Sequence, residues 1–267
     1  MSYKVWFTIL SLSYALDTLP QQGTIIIGAI ANDGIIIAAD SRAGIAGNNK
    51  EILAYIDSLP KLTLLINRYP IAFAGKGNLL DKFYINIVKD FNKTEPKNKD
   101  VQSCFIDFRE YLLNISPRIE NTFIGGAYYD SAPWLFSFSD SIKTASQDMF
   151  YFNEPELTPY LKKYTDSNIS CKKLAIILDS VIHKYAMDAH KEAMIGGPVS
   201  IIKISEGNKI EWMQNNLVHK QPKDYATLLS MIKTKKIKTI PVVKDGVRKA
   251  IEAMESKSKS LNVLSPP

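Results

Sequence analysis

Two apolar runs near the start of the chain predict a β-hairpin. From Thr24 the sequence reads Thr-Ile-Ile-Ile-Gly-Ala-Ile-Ala, and after Asn32-Asp33-Gly34 it continues Ile-Ile-Ile-Ala-Ala. β-Branched residues favour strands, and an Asp-Gly pair between two such runs is a strong hairpin signal. Both runs are apolar at successive positions, which indicates a sheet covered on both faces. The runs at 62–66 and 70–74, separated by Asn67-Arg68-Tyr69, predict a second hairpin.

Helical periodicity follows the second hairpin. Apolar residues recur at the spacing of one helix face, and a polar break at 94–100 precedes a second helix over 101–115. The first stripe consists of Leu79, Leu80, Phe83, Ile87, Val88 and Phe91. The later predicted elements are strands at 122–129 and 134–138, a helix over 174–187, strands at 199–204 and 210–213, and a helical tail.

The order of these elements predicts an α+β protein. Runs of strands alternate with runs of helices, whereas a Rossmann sheet needs repeated single βαβ units. Two sheets packed between helix layers fit this order best, so we expect a four-layer αββα sandwich. The chain has no internal repeat or Pro/Gly/Ser-rich linker. We therefore expect one domain over 24–215, preceded by residues 1–23 and followed by a basic, partly helical extension over 216–267.

Residues 1–23 have the pattern of a signal peptide or of a propeptide. An apolar run at 5–16 follows Lys4, contains the small residues Ser13 and Ala15 near its end, and precedes a polar stretch at 17–22. The run is too short for a stable membrane anchor, which needs about 17 to 25 apolar residues. If residues 1–15 are a signal peptide, we expect an exported protein. If the segment is a propeptide alone, we expect a cytoplasmic one.

The formal net charge of +6 is concentrated in the C-terminal extension. From Lys220 onward there are eleven Lys or Arg and four Asp or Glu, so the rest of the chain is close to neutral. The lysines at 233, 235, 236 and 238 have no aromatic residues between them, which is typical of a solvated face and not of a nucleic-acid surface. A binding module with a basic tail is an alternative that salt-sensitive nucleic-acid binding would support.

Cysteine and histidine do not form a recognisable metal or catalytic pattern. Cys104 and Cys171 lie in apolar surroundings without His or Cys at ligand spacing, so no metal and no cofactor are expected. His183 and His190 lie seven residues apart on one predicted helix face. That spacing is typical of packing or exposure, and we do not expect a catalytic histidine.

Five short motifs occur in order along the chain. They are Gly23-Thr24-Ile-Ile-Ile-Gly28, Asp33-Gly34-Ile-Ile-Ile-Ala-Ala-Asp40-Ser41-Arg42-Ala43, Ala72-Phe73-Ala74-Gly75, Gly125-Gly126-Ala127-Tyr128-Tyr129-Asp130 and Gly196-Gly197-Pro198-Val199-Ser200-Ile201. In combination, over 24–213, they resemble proteasome β-type subunits and their bacterial relatives, which are N-terminal-nucleophile hydrolases. The resemblance implies two packed antiparallel sheets flanked by helices, assembly into a ring, and a polypeptide or amide substrate.

The resemblance identifies Thr24 as the nucleophile once the Gly23-Thr24 bond is cut. A threonine hydroxyl needs a base, and the α-amino group that this cut creates has an unperturbed pKa of about 7.7 to 8.0. Lys61 is implied to favour the ionised oxygen and to lower the pKa of the amine. Asp40, sixteen residues after Thr24, is implied to hold the ammonium group. Gly75 is implied to donate its N–H to the oxyanion.

The resemblance also implies a substrate pocket. At several other positions the sequence departs from the family pattern. Ala43 and Phe73 are expected to contact substrate, with Phe73 disfavouring bulky side chains. Glu192 and Ile195 stand where the family commonly has Asp and Ser; Glu192 can substitute by charge, whereas Ile195 cannot donate a hydrogen bond. The segment 152–160 reads Phe-Asn-Glu-Pro-Glu-Leu-Thr-Pro-Tyr in place of a Gly-Ser-Gly stretch. Asp40 and Lys61 are five residues further apart than usual, which predicts a longer loop over 46–57.

Two functions fit these residues. The first is a self-processing threonine peptidase or amidohydrolase, which Thr24, Asp40, Lys61 and Gly75 favour. The second is a catalytically inactive ring subunit, which Ile195 and the absent Gly-Ser-Gly stretch favour.

Overall fold

The computed structural model describes residues 23–47, 49, 51–57, 59–75, 78–79, 82–95, 99–139, 142–145, 150–164, 168–192, 194–214 and 222–263. The signal peptide or propeptide predicted at 1–23, with its apolar run at 5–16, lies outside the described residues except for Gly23.

The first large sheet contains the predicted N-terminal hairpin. Its strands are β1 (Ile26–Ala31), β2 (Gly34–Ala39), β12 (Phe150–Phe152), β13 (Ser200–Ser205) and β14 (Lys209–Gln214). They are hydrogen-bonded in the order β12-β1-β2-β13-β14, and each neighbouring pair is antiparallel. In the hairpin, Ile26 pairs with Ala39 and Ala31 pairs with Gly34, so the prediction from the Asp-Gly turn is confirmed.

The second large sheet contains the second predicted hairpin. Its strands are β5 (Leu62–Leu65), β6 (Tyr69–Ala74), β9 (Thr122–Tyr129), β10 (Ala132–Phe138) and β11 (Ile142–Ala145). Their order is β11-β10-β9-β6-β5, and again each neighbouring pair is antiparallel. Asp130 and Ser131 join β9 to β10 with φ values of 49° and 62°. Two successive positive φ values are typical of the tight turn that matches the twist of a hairpin.

The described α-helices before the C-terminal extension are α1 (Tyr84–Thr94), α2 (Val101–Ile115), α3 (Thr158–Leu161) and α4 (Cys171–Asp188). The periodicity predicted α1, α2 and α4, but it did not predict the short helix α3. The stripe from Leu79 predicted an earlier start for α1, but two short paired strands precede this helix, β7 (Asn78–Leu79) and β8 (Lys82–Phe83). Phe83 is extended and packs into a cluster with the C-terminal extension, whereas Ile87, Val88 and Phe91 pack into the cluster beside the second sheet.

Three hydrophobic clusters cover the faces of the two large sheets. One contains residues of both sheets, such as Ile37 and Ile124. The second joins the first sheet to α4, and the third joins the second sheet to α1 and α2. Ile26 belongs to the cluster shared by the sheets and Ile27 to the cluster beside α4. Successive positions of a strand face opposite sides, which explains why these strands are apolar at every position.

The C-terminal extension packs on a third sheet. That sheet consists of β3 (Ala43–Ala46), β4 (Ile52–Ile56) and β15 (Thr239–Pro241), in the order β15-β4-β3. Two helices, α5 (Tyr225–Lys233) and α6 (Gly246–Val263), cover it through a cluster that includes Leu53, Leu228 and Met254. The predicted loop over 46–57 is therefore wrong at 52–56, because the extension supplies both a strand partner and an apolar cover for β4.

Among the helices that the structure describes, none combines the length and the hydropathy needed to cross a lipid bilayer.

Candidate active site

Thr24 lies just before β1 and is buried, with 5% of its surface exposed. The residue before it, Gly23, has a φ of +96°, and a Cβ atom at this position would lie 2.4 Å from the Cβ of Met194. Both the backbone conformation and the close contact exclude a side chain at Gly23. The main chain at Gly23, directly before Thr24, therefore passes close to the side chain of Met194.

Asp40 follows β2 and connects four segments of the chain. Its Oδ1 accepts hydrogen bonds from the backbone N–H of Ile25 at 2.9 Å and from Nζ of Lys61 at 3.0 Å. Its Oδ2 accepts from the backbone N–H of Gly196 at 3.1 Å and of Arg42 at 3.2 Å. The carboxylate is fully buried, so these four donors replace the water that would otherwise solvate it.

Lys61 lies just before β5, and its side chain is 6% exposed. Besides Asp40, its ammonium group contacts the main-chain oxygen of Arg42. Burial lowers the pKa of Lys61, while the negative charge of Asp40 opposes this effect. Burial also raises the pKa of Asp40, which the charge of Lys61 and the N–H of Ile25 oppose. The buried ammonium group is therefore held between the carboxylate of Asp40 and the main-chain oxygen of Arg42.

Gly75, the predicted oxyanion donor, directly follows β6 and has a φ of +115°. A Cβ atom at Gly75 would lie 3.0 Å from Nδ2 of the buried Asn121, so this position also requires glycine. The next element that the structure describes after Gly75 is the strand β7.

The two predicted substrate contacts lie in different environments. Ala43 begins β3 and is partly buried. Phe73, on β6, belongs to the cluster beside α1 and α2, with its ring centroid 5.3 Å from that of Tyr84 and 6.3 Å from that of Phe123. Their contact with substrate stays a prediction.

Arg42 connects the third sheet to the segment that follows α4. Its guanidinium group forms a bidentate pair with Asp57, at 2.7 and 3.0 Å, and lies 3.9 Å from the ring centroid of Tyr55. The same group donates to the main-chain oxygen of Glu192. Glu192 is exposed, and its role as a charged support stays a prediction. Ile195, where the family has a serine, is buried in the apolar cluster beside α4.

Asn153 is a contact of Thr24 that the sequence reasoning missed. Its Nδ2 donates to the main-chain oxygen of Thr24 at 2.7 Å, and its Oδ1 accepts from the N–H of Ile26 at 2.8 Å. Asn153 lies in the segment where the Gly-Ser-Gly stretch was expected. The only sequence signal is its place directly after the aromatic run of β12.

The candidate site contains the buried Thr24 and the buried pair of Asp40 and Lys61. Within the part of the chain that the structure describes, no three His, Cys, Asp or Glu residues are grouped as a metal ion would require.

Comparison with known proteins identifies the fold of this chain. No family model and no curated protein matches the sequence. The structure is similar to that of Anbu, a bacterial proteasome-like protein, from Hyphomicrobium sp. strain MC1, with a TM-score of 0.53 and 13% identity over 91% of this chain and 98% of that one. An Anbu (Gly-1) mutant from the same strain gives a TM-score of 0.54 and 14% identity over 92% of this chain and 99% of that one. The chain thus has a mixed α/β fold like that of proteasome-like proteins.

Proposed function

We propose that this protein is a proteasome-like threonine hydrolase with a four-layer αββα core, which cleaves peptide or amide bonds after its own cleavage at Gly23-Thr24. The observation that carries the proposal is the buried carboxylate of Asp40. It binds the N–H of the residue after Thr24 at 2.9 Å and the ammonium group of Lys61 at 3.0 Å. An ion pair is costly to bury, and here it lies beside the residue that the motifs identify as the nucleophile.

Self-cleavage would create the catalytic amine. In this step Oγ of Thr24 attacks the carbonyl carbon of Gly23, the C–N bond breaks, and the threonine nitrogen gains the hydroxyl proton. Water then hydrolyses the resulting ester, which leaves a carboxylate on Gly23 and a free α-amino group on Thr24. The glycine at this position supports the proposal, because a residue without a Cβ atom lets the backbone pass close to the Thr24 hydroxyl.

Hydrolysis of a substrate would follow the same pattern. The α-amine accepts the hydroxyl proton while Oγ attacks the substrate carbonyl, and the proton passes to the leaving amine. Water then releases the acyl group from Oγ. The ammonium group of Lys61 would stabilise negative charge on Oγ. The N–H of Gly75 would stabilise the oxyanion, a contact worth about 2.7 to 4 kcal/mol.

The first test compares the intact mass and the N-terminal sequence of the purified wild type with those of Thr24→Ala and Thr24→Ser. We expect the wild type to begin at Thr24 and Thr24→Ala to keep the residues before it. Thr24→Ser is the matched control, since it retains a hydroxyl and should begin at residue 24. If wild type and Thr24→Ala begin at the same residue before 24, the proposal is wrong.

The second candidate is a catalytically inactive ring subunit. The burial of Ile195, where a serine would support the nucleophile, is the observation that favours it. In that case the assembled wild-type protein would retain residues before Thr24, and substitution of Thr24 would change neither the N-terminal residue of the protein nor its assembly. We propose a ring assembly under either function, supported by the proteasome-like fold.

A further inference from the structure

The main chain of Thr24 lies outside the regular hydrogen-bond ladder of its sheet. The pairing of β1 with β2 begins at Ile26 and Ala39. On the β2 side, Asp40 extends the contact by one residue, because its N–H donates to the oxygen of Ile25 at 3.2 Å and its Oδ1 accepts from the N–H of Ile25. The carbonyl of Thr24 therefore needs a partner from the other edge of β1.

Asn153 supplies that partner. β12 pairs with β1 through Phe152 and Ile27, and the N–H of Asn153 reaches the oxygen of Ile26 at 3.4 Å. The side-chain amide then continues the ladder, with Nδ2 donating to the oxygen of Thr24 and Oδ1 accepting from the N–H of Ile26. A primary amide offers a donor and an acceptor on one rigid plane, so it can bind residues n and n+2 of a strand together.

We propose that Asn153 is a positioning residue for the nucleophile, acting through the main chain of Thr24. This inference rests on the proposed function. The contact at its carbonyl limits movement of Thr24 both before the cut, when its hydroxyl attacks Gly23, and after it, when Thr24 is the end of the chain and carries both hydroxyl and amine. Asp40 holds the next residue from the opposite edge. A displacement of about 1 Å at a reacting group can cost about a hundredfold in rate.

The chain contains a matched control for this contact. Asn92, on α1, donates through Nδ2 to the oxygen of Leu64 at 2.9 Å and accepts at Oδ1 from the N–H of Ile66 at 2.6 Å. Its amide thus binds residues n and n+2 of another segment in the same pattern. This contact lies at the end of β5 opposite to Lys61. A substitution at Asn92 therefore removes an equivalent pair of hydrogen bonds without changing the contacts of Thr24.

The test measures self-cleavage, which needs no knowledge of the substrate. Wild type, Asn153→Ala, Asn153→Asp, Asn92→Ala and Asn92→Asp are made by cell-free translation, and loss of the residues before Thr24 is followed by intact mass. We expect at least tenfold slower cleavage in both Asn153 variants and a rate within about twofold of wild type in both Asn92 variants. Thermal unfolding of each uncleaved or cleaved product shows whether it is folded.

Asn153→Asp provides a readout that a purely structural role would not give. At neutral pH its carboxylate can accept from Ile26 but cannot donate to Thr24, whereas a protonated carboxyl group has one O–H donor. We therefore expect purified, uncleaved Asn153→Asp protein to cleave faster as the pH falls from 7.5 towards 4.5. Asn153→Ala, which regains no donor, should show no such rise.

The outcomes separate this inference from the proposed function. If wild type cleaves and folded Asn153 variants cleave equally fast, the positioning role is wrong while the hydrolase proposal stands. If Asn92 and Asn153 variants slow cleavage equally and lose equal thermal stability, the contact is structural only. If the wild type never loses the residues before Thr24, both proposals are wrong.

Discussion

At the scale of single residues, the buried pair of Asp40 and Lys61 dominates the candidate site. Removal of one partner from a buried ion pair leaves an uncompensated charge, which typically costs about 3 to 5 kcal/mol. We expect Lys61→Met to lower the free energy of unfolding by about this amount in urea denaturation. Lys184→Met is the control, because Lys184 is mainly exposed and pairs with Asp188 on the surface of α4. Its effect should stay below about 1 kcal/mol, and an equal loss in both variants would contradict the prediction.

The same pair predicts a pH dependence. Burial raises the pKa of Asp40, and the charge of Lys61 opposes that rise. In Lys61→Met the pKa of Asp40 should rise further. A carboxyl group whose pKa is raised by folding contributes stability at low pH and loses it as the pH rises through its folded pKa. The loss of unfolding free energy in Lys61→Met relative to wild type should therefore grow as the pH rises above the unfolded pKa of about 3.9. It should not grow in the Asp40→Asn, Lys61→Met double variant, which has no carboxyl group at residue 40.

The sequence could predict some residues of the site and not others. Asp40 and Lys61 stand at motif spacings, and the structure brings their side chains to 3.0 Å. Asn153 could not be found in this way, because its role depends on how β12 aligns with β1 across 129 positions. The contact of Arg42 with Asp57 likewise depends on β4, a strand in a segment that was expected to be a loop.

At the scale of secondary-structure elements, Asp33 connects the turn between β1 and β2 to the helix α4 and to the strand β13. Its carboxylate accepts from the N–H of Cys171, where α4 begins, at 2.6 Å and from Nζ of Lys203, on β13, at 2.7 Å. Burial alone would raise the pKa of Asp33, but the bonds from Lys203 and Cys171 outweigh burial and lower it to about 2. A carboxylate at a helix N-terminus is also favoured by the helix dipole.

Asp33→Asn should therefore reduce stability in a pH-dependent way. A carboxyl group whose pKa is lowered by folding stabilises the protein above its unfolded pKa of about 3.9, and this contribution disappears as the pH falls to about 2. We expect Asp33→Asn to lower the free energy of unfolding by about 0.5 to 1 kcal/mol at pH 7, a modest effect because the side chain is partly exposed. This difference from wild type should become smaller below about pH 4. Urea denaturation at pH 7, 4 and 3 measures it. Asp130→Asn, in the exposed turn between β9 and β10, is the control, and it should change the free energy of unfolding at pH 7 by about 0.5 kcal/mol or less.

Most strands could be predicted from local sequence, because β-branched runs and turn residues determine them. The two large hairpins and α2 follow directly from periodicity and capping, with Asp100 accepting from the N–H of Ser103 at the start of α2. β4 is the instructive failure. Its five residues, Ile-Leu-Ala-Tyr-Ile, form a short apolar run, and one of its partners, β15, comes from the C-terminal extension. A strand whose partner lies so far away in sequence has no local signal for its pairing.

At the scale of the whole molecule, the C-terminal extension is part of the folded body. Met254, on α6, is 1% exposed in the cluster that covers β4. We expect Met254→Ala to lower the free energy of unfolding by about 2 to 5 kcal/mol, as is typical for truncation of a buried side chain. Met187→Ala is the control, because Met187 is 63% exposed on α4 and its truncation should change stability by about 0.5 kcal/mol or less. A negligible effect at Met254 would show that the extension folds independently of the third sheet.

The bond between Asp40 and Gly196 also has a consequence for the newborn chain. A ribosome releases Asp40 long before Gly196, which lies 156 positions later. Until this part of the chain has been translated, the carboxylate of Asp40 lacks one of its hydrogen-bond donors, and the contact between Gly23 and Met194 cannot form. We therefore expect the proposed cleavage of the Gly23-Thr24 bond to follow translation of the chain at least as far as Gly196, because the contacts around Thr24 and Asp40 are complete only then.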